Sequence, residues 1–374
     1  MSENQDDSTE ETTLVRSSKA DLQRLNANLE TTRRVLARSE DRYFRFFRKH
    51  EEFFVCMLSR WHPLHLELIE QYSDKWRWNL LSRNPSLGWS EHLIEKYADG
   101  RWKRKGLSEN VGIPWSIGLI DRYVGRWGWR HLSTNPELPW TEELIEKYAD
   151  HWDWERLSSN RSLPWSESVI ETYSDRWEWG KHGLSLNGGL PWTHRLISQY
   201  SGRWEWGAGG LSSNDALPWS KSLLQRYSGQ WNWAACGLSE NKGLPWTTEL
   251  IEAHSDQWSW GGYGLSDNGG IPWTKELIER YSKCWEWGSN FFGPGLSANE
   301  SLPWTEEFIE RHEEKWCWEI LGLSDNAALP WSLRLITHYS ERWNWEQLCN
   351  NRGVYEKAFA DHITPDMIRQ VLGP

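Results

Sequence analysis

The sequence predicts an all-α fold, an α-solenoid of about eleven short two-helix repeats of 25–31 residues. Three observations lead there. A Trp anchor, usually after Leu-Pro, recurs at Trp89, Trp115, Trp140, Trp165, Trp192, Trp219, Trp246, Trp273, Trp304 and Trp331, with Leu64 as a degenerate first member. Behind the anchors, apolar residues fall 4, 5, 8 and 12 positions on, as in Leu144, Ile145, Tyr148 and Trp152. At about 100° per residue these form one stripe on a helix. Finally, every unit closes on an Asn. Repetition at a fixed period outranks any domain count drawn from length.

Each element of the unit has a local cause. In every unit but the first, Ser or Thr follows the anchor, the preferred helix N-cap, and acids such as Glu142 and Glu143 suit the first turn. The stripe predicts a first helix of roughly eleven residues. The second segment, from Trp152-Asp153-Trp154 through Leu157 to Asn160, predicts a short helix stopped by Asn, which tolerates the left-handed conformation, and at Asn84-Pro85 and Asn135-Pro136 by Pro. Glycine-rich units, such as Trp206-Gly207-Ala208-Gly209-Gly210, predict a turn or 3₁₀ segment there, and residues 288–295 a projecting loop. Leu-Ser-x-Asn also admits a leucine-rich-repeat-like α/β solenoid, although the full leucine-rich pattern is absent.

The core is expected to be indole. Hydrophobic residues are only 38 %, but 32 residues are Trp, and 31 of those fall at the anchor, anchor+12 or anchor+14. Only Trp61 stands outside this lattice. The expected core residues are Trp140, Leu144, Ile145, Tyr148, Trp152, Trp154, Leu157, Asn160, Trp165, Trp177, Trp192, Trp219, Trp246 and Trp273. One unit cannot offset its own ordering entropy, so neighbours must share indoles. Units stacked at about 8–10 Å predict an elongated array.

The flanks differ. Residues 1–17 are acidic and Ser/Thr-rich, read as a disordered tail. Residues 18–60 read as a basic amphipathic helix, either a cap on the repeats or a coiled-coil through which two copies pair. Residues 61–351 form the repeat array. Residues 352–374 read as a closing segment, with Thr364-Pro365 opening a helix.

Function is bounded mostly by exclusion. The net charge of −11 works against binding nucleic acid or an anionic membrane surface, and no apolar run spans a bilayer. The five cysteines are odd in number and widely spaced, which predicts reduced thiols, no disulfide framework and a cytoplasmic location. Catalysis needs a constellation that occurs once, whereas the Ser of Leu-Ser-x-Asn recurs in ten units with no His or acid recurring beside it. Cys284 and Cys317 lack metal-ligand spacing, and Gly207-Ala208-Gly209-Gly210 reads as lattice filler. No cofactor, metal or catalytic residue is expected. His254 and His312, which replace the helix Tyr of their units, are expected half-buried.

The string Trp152-Asp153-Trp154-Glu155-Arg156-Leu157-Ser158-Ser159-Asn160 resembles the Trp-rich tandem repeats, of the Trp-Asp-Trp-x-x-Leu-Ser-x-Asn kind, of bacterial and giant-virus proteins. The resemblance covers residues 63–351. It implies a solenoid and little about activity. The expected function is a non-catalytic scaffold that binds a protein or peptide partner through the variable residues between the Trp. The alternatives are an array of exposed indoles stacking on sugars or nucleobases, and a dormant scaffold element of a larger assembly.

Overall fold

The computed structural model describes residues 24, 27–33, 40–97, 104–288 and 294–373. These are helices and turns, with no strand among the described residues, so the leucine-rich-repeat-like alternative is disfavoured. The acidic segment 1–17, Trp102 and residues 289–293 of the long insertion lie outside the described residues.

Contacts divide the chain into two units, Met1–Glu51 with His362–Pro374, and Glu52–Asp361. In the smaller unit, residues 40–49 are helical, and Pro365–Leu372 forms a helix that begins as the sequence predicts. Thr364 is its N-cap, accepting from the Met367 N–H, with Pro365 in the first turn. Arg48 Nη1 donates to the Val371 carbonyl at 2.6 Å, and the Tyr43 and His362 rings stack at 3.9 Å. The segment expected as one helix over 18–60 is broken by a turn at His50. Its last stretch, the helix Glu51–Trp61, belongs from Glu52 onward to the larger unit.

In the larger unit, Thr141 Oγ1 accepts from the Leu144 N–H at 3.1 Å to start the helix Glu142–Lys147. The same cap forms at Ser90, Ser116, Ser166, Thr193, Ser220, Thr247, Thr274, Thr305 and Ser332. Each of these helices has six residues rather than eleven. The reason is the anchor+12 Trp. The chain turns at Tyr148, and Trp152 folds back so that its indole N–H donates to the Ile145 carbonyl at 3.1 Å. A carbonyl orphaned at the helix end thereby gains a donor. The second segment is a short helix in the reference unit, Trp154–Ser158. In four glycine-inserted units it is 3₁₀, as at Leu184–Leu186 and Leu211–Ser213.

The Asn that ends each unit is no left-handed stop. At Asn187, Asn214, Asn268, Asn299 and Asn351 the backbone is extended, with φ from −82° to −73°. The side chain explains why. Asn160 Nδ2 donates to the Ser133 carbonyl at 2.9 Å and the Asn135 carbonyl at 3.4 Å, one unit back. Its Oδ1 accepts from the Ser162 N–H at 2.9 Å, an Asx turn, which sets the extended backbone. From Asn110 to Asn351, every such amide reaches the preceding unit's Ser carbonyl. All eleven Asn are at most 5 % exposed.

The Ser beside it is also committed. Ser158 Oγ donates to the Trp154 carbonyl at 2.6 Å and accepts from the Glu178 N–H of the next unit at 2.9 Å. The Trp rows complete the lattice. Trp152 lies between its own anchor Trp140, centroids 5.0 Å apart, and Trp129 of the preceding unit at 4.9 Å. Anchor indoles donate to the Asn carbonyl five residues back, as Trp165 does to Asn160 at 2.9 Å. No Trp among the described residues is exposed.

The array does not run out to free ends. Trp61, outside the lattice in sequence, donates its indole N–H to the Cys349 carbonyl at 3.2 Å, and Cys349 holds the Ser position of the last unit. That is the bond an Asn one unit further on would make. On the other side, Asn84 donates to the Leu58 and His62 carbonyls, and the Arg77 N–H donates to Ser59 Oγ at 3.1 Å. Leu58-Ser59 of the helix Glu51–Trp61 thus precede the first unit and follow the last. Phe53 packs edge-on against Trp345 and Phe359. A disulfide joins Cys56 to Cys349, with Cα atoms 5.7 Å apart. The expectation of reduced thiols holds at Cys236, Cys284 and Cys317 and is corrected at Cys56 and Cys349, which bring together segments that an extended stack would hold far apart. Cysteine spacing could not reveal a pairing across 293 residues.

Two outcomes are expected. Asn241→Ala removes bonds to the Ser212 and Asn214 carbonyls and the Gly243 N–H. It should lower stability by about 2–4 kcal/mol in urea unfolding, whereas exposed Glu143→Ala stays within about 0.5 kcal/mol; equal effects would deny the ladder its role. A non-reduced proteolytic digest should contain the Cys56 and Cys349 peptides joined, lighter than their sum by two hydrogens.

Candidate binding groove

In five of the later units two residues enter between the second Trp and Leu-Ser, as Trp154-Glu155-Arg156-Leu157 beside Trp179-Gly180-Lys181-His182-Gly183-Leu184 shows. The extra length is taken up in one unusual way. His182, Gly209, Cys236, Tyr263 and Leu321, equivalent in their units, have φ of 62°, 74°, 55°, 54° and 60°. For an L-residue this left-handed conformation costs roughly 1–2 kcal/mol, and such strain concentrates at functional sites. The next residue is always Gly. A Cβ at Gly183 would collide with the Glu178 carbonyl, so the tight return admits no side chain.

A backbone ladder holds the row. The His182 N–H donates to the Gly209 carbonyl at 2.9 Å, Gly209 to Cys236 at 3.3 Å, and Cys236 to Tyr263 at 2.7 Å. Ser213 Oγ accepts from the Gly209 N–H at 2.9 Å and donates to the Cys236 carbonyl. The last unit, Trp345-Glu346-Gln347-Leu348, lacks the inserted pair, and before it the Leu321 N–H turns to Asp325 Oδ2 at 2.6 Å.

Three rows, each built from successive units, line a groove of about 520 Å³. The left-handed row supplies His182, Gly209, Cys236 and Tyr263, with Lys181 beside it. The row before the Asn supplies Leu186, Ser213 and Glu240; the row after it, Arg161, Asp215 and Lys242. Arg161 approaches Asp215 at 3.8 Å. Burial pushes the Glu240 carboxyl up, against the pull of Lys242. Burial, then the Glu240 charge, pushes the Cys236 thiol up, away from the thiolate a nucleophile needs. Next to Glu240, Asp267 is raised to about 7, chiefly by burial and then by the Glu240 charge.

Of the expected core residues, Leu144, Ile145, Tyr148, Trp152, Leu157, Asn160, Trp177, Trp246 and Trp273 are buried. Trp140, Trp154, Trp165, Trp192 and Trp219 are half-buried, each with its indole N–H on a backbone carbonyl. His254 and His312 are half-buried against Trp233 and Trp287, as expected. Cys284 is exposed and Cys317 half-buried. Among the described residues no group of three or more His, Cys, Asp or Glu is placed to hold a metal ion. No helix among them is long and apolar enough to cross a membrane.

The sequence assigns no partner-binding residue, and the groove is not visible in it. Gly207-Ala208-Gly209-Gly210, expected as filler, is part of its wall. The available signal is the residue before each Gly-Leu-Ser, which carries a side chain at His182, Cys236, Tyr263 and Leu321 where the left-handed turn would favour glycine.

No protein-family model matches the chain, no curated protein matches it, and no solved structure matches it.

Because the folded carboxyl of Asp267 holds its proton to about 7 against an ordinary 3.8, the stability it confers is full below 3.8 and is lost as pH rises through about 7. Asp267→Asn should therefore raise the melting temperature by about 1–3 °C at about pH 8 and leave it unchanged near pH 4. A gain of the same size at both pH values would refute this assignment.

Proposed function

We propose that the chain is a non-catalytic α-solenoid scaffold, closed on itself, that binds a protein or peptide partner across successive units. The observation that carries this reading is the division of labour within the unit. Trp, Ser and Asn side chains are turned to the lattice, so recognition falls to the residues that vary, and in the units from Arg161 to Tyr263 those residues converge on one groove. The resemblance to Trp-rich tandem repeats supports the same architecture.

The committed indoles favour this reading over an array that stacks sugars or nucleobases, which needs open ring faces and, for nucleic acid, a cationic track. Pairing of two copies through residues 18–60 is confined, on this reading, to the part before Glu51, because Glu51–Trp61 is consumed in the closure. A cytoplasmic setting fits with one condition. Cys56 and Cys349 are each 1 % exposed, so reductants would reach them only when the array opens.

A photo-cross-linking residue at Tyr263 should give a protein adduct in the source cell, while one at exposed Glu143 should not. Tryptophan emission should be blue-shifted, resistant to acrylamide and indifferent to oligosaccharides or oligonucleotides. Strong quenching with a response to either ligand would favour the stacking array instead.

A further inference from the structure

If the chain is a scaffold of this kind, the chemistry of the groove narrows the class of its partner, and that narrowing rests on the scaffold reading. On a chain of net charge −11, four basic side chains, Arg161, Lys181, His182 and Lys242, meet at one groove. Among the described residues, Lys181 and Lys242 form no ion pair or hydrogen bond, the Lys242 charge acting on Glu240 and Asp267 from a distance, and Arg161 reaches Asp215 only at 3.8 Å. The lining acids are Asp215, which faces Arg161, and Glu240, whose carboxyl burial pushes up. Counted by side chain, the lining carries Arg161, Lys181 and Lys242 against two carboxyls, Asp215 and Glu240, an excess of cation on an acidic chain. At its far end Tyr263 is 39 % exposed and stands in the left-handed conformation.

The dimensions suit a linear ligand. His182, Gly209, Cys236 and Tyr263 come from four successive units joined by backbone N–H···O bonds. At the roughly 4.8 Å spacing of strands so joined, three steps cover about 14 Å, the span of about four extended residues.

We propose that this groove binds an extended, carboxylate-bearing segment of a protein partner, with Lys181 and Lys242 meeting its acidic side chains and Tyr263 packing an apolar one. Paired opposite charges at such a surface give orientation and on-rate more than bulk affinity, so charge reversal is the informative change.

The test uses the full chain and a fluorescein-labelled hexaglutamate peptide as probe, with hexalysine and inorganic phosphate as comparisons. Lys181→Glu with Lys242→Glu should weaken hexaglutamate binding by about tenfold or more. Lys275→Glu with Lys283→Glu, the same change in net charge at exposed lysines outside the groove, should leave it unchanged. Retention of the joined Cys56 and Cys349 peptides reports that each variant still folds. Carbodiimide coupling should form an amide, with loss of water, between a probe carboxylate and the Lys181 or Lys242 amine.

Binding indifferent to the groove substitutions, or phosphate competing as well as the peptide, would overturn the proposal. So would coupling of these lysines to the chain's own residues 1–17 that the probe cannot displace. If the probe fails but a protein still cross-links at Tyr263, the acidic assignment falls alone. If no protein cross-links there, the scaffold reading falls with it.

Discussion

One hydrogen-bonded amide sets the terms for the whole array. The Asn at the end of each unit uses both ends of its side chain, donating to the previous unit and accepting from its own backbone two residues on. Its main-chain carbonyl then accepts from the anchor indole and from the next Asn. A buried primary amide that left any of these groups unpaired would cost about 1–3 kcal/mol per group. No residue of similar size supplies both functions: Asp lacks the donors, and Leu lacks both. The identity of this residue is therefore dictated in every unit, and the spacing between units is fixed by a covalent length rather than by loose apolar contact.

The indoles are subordinate to that ladder. Most of the described Trp present an apolar face to neighbours and a single N–H to a carbonyl that the short helices and turns would otherwise orphan. Six-residue helices are too short to be stable alone. They persist because the Trp that follows bonds back to their last turn and the cap hydroxyl holds their first. With such short helices, Leu and Ile could fill the same space but could not satisfy the backbone, which accounts for a core built from a rare residue. At Trp318 alone among the described residues a buried indole nitrogen has no partner.

The parts of the fold written into every unit are legible in the sequence: the caps, the apolar stripe, the Trp slots and the 3₁₀ segments of the glycine-rich units. Repetition makes such signals redundant. What occurs once is not legible. Trp61 looks like an outlier because it substitutes for an Asn that no sequence pattern predicts, and Cys56 and Cys349 become neighbours only through the accumulated turn of eleven units. The Asn backbone departs from expectation for another reason. Left-handed stops and Asx turns both favour Asn, and the sequence holds no sign of which group it will bond. The groove is hidden because its wall is built by exceptions: His182, Cys236 and Tyr263 stand in a conformation suited to glycine.

Closure of the ladder also bears on where the chain has to begin. Trp61 and Cys349 stand in the relation of adjacent units, so the ladder continues through this joint, with an indole in place of the amide and a disulfide beside it. A circular permutant opened at an exposed turn between helices, with the native ends of the array joined, keeps every Asn bond and every indole contact. In such a permutant the disulfide would tie two segments adjacent in sequence instead of two lying 293 residues apart, and the long loop it closes in the natural order would be lost.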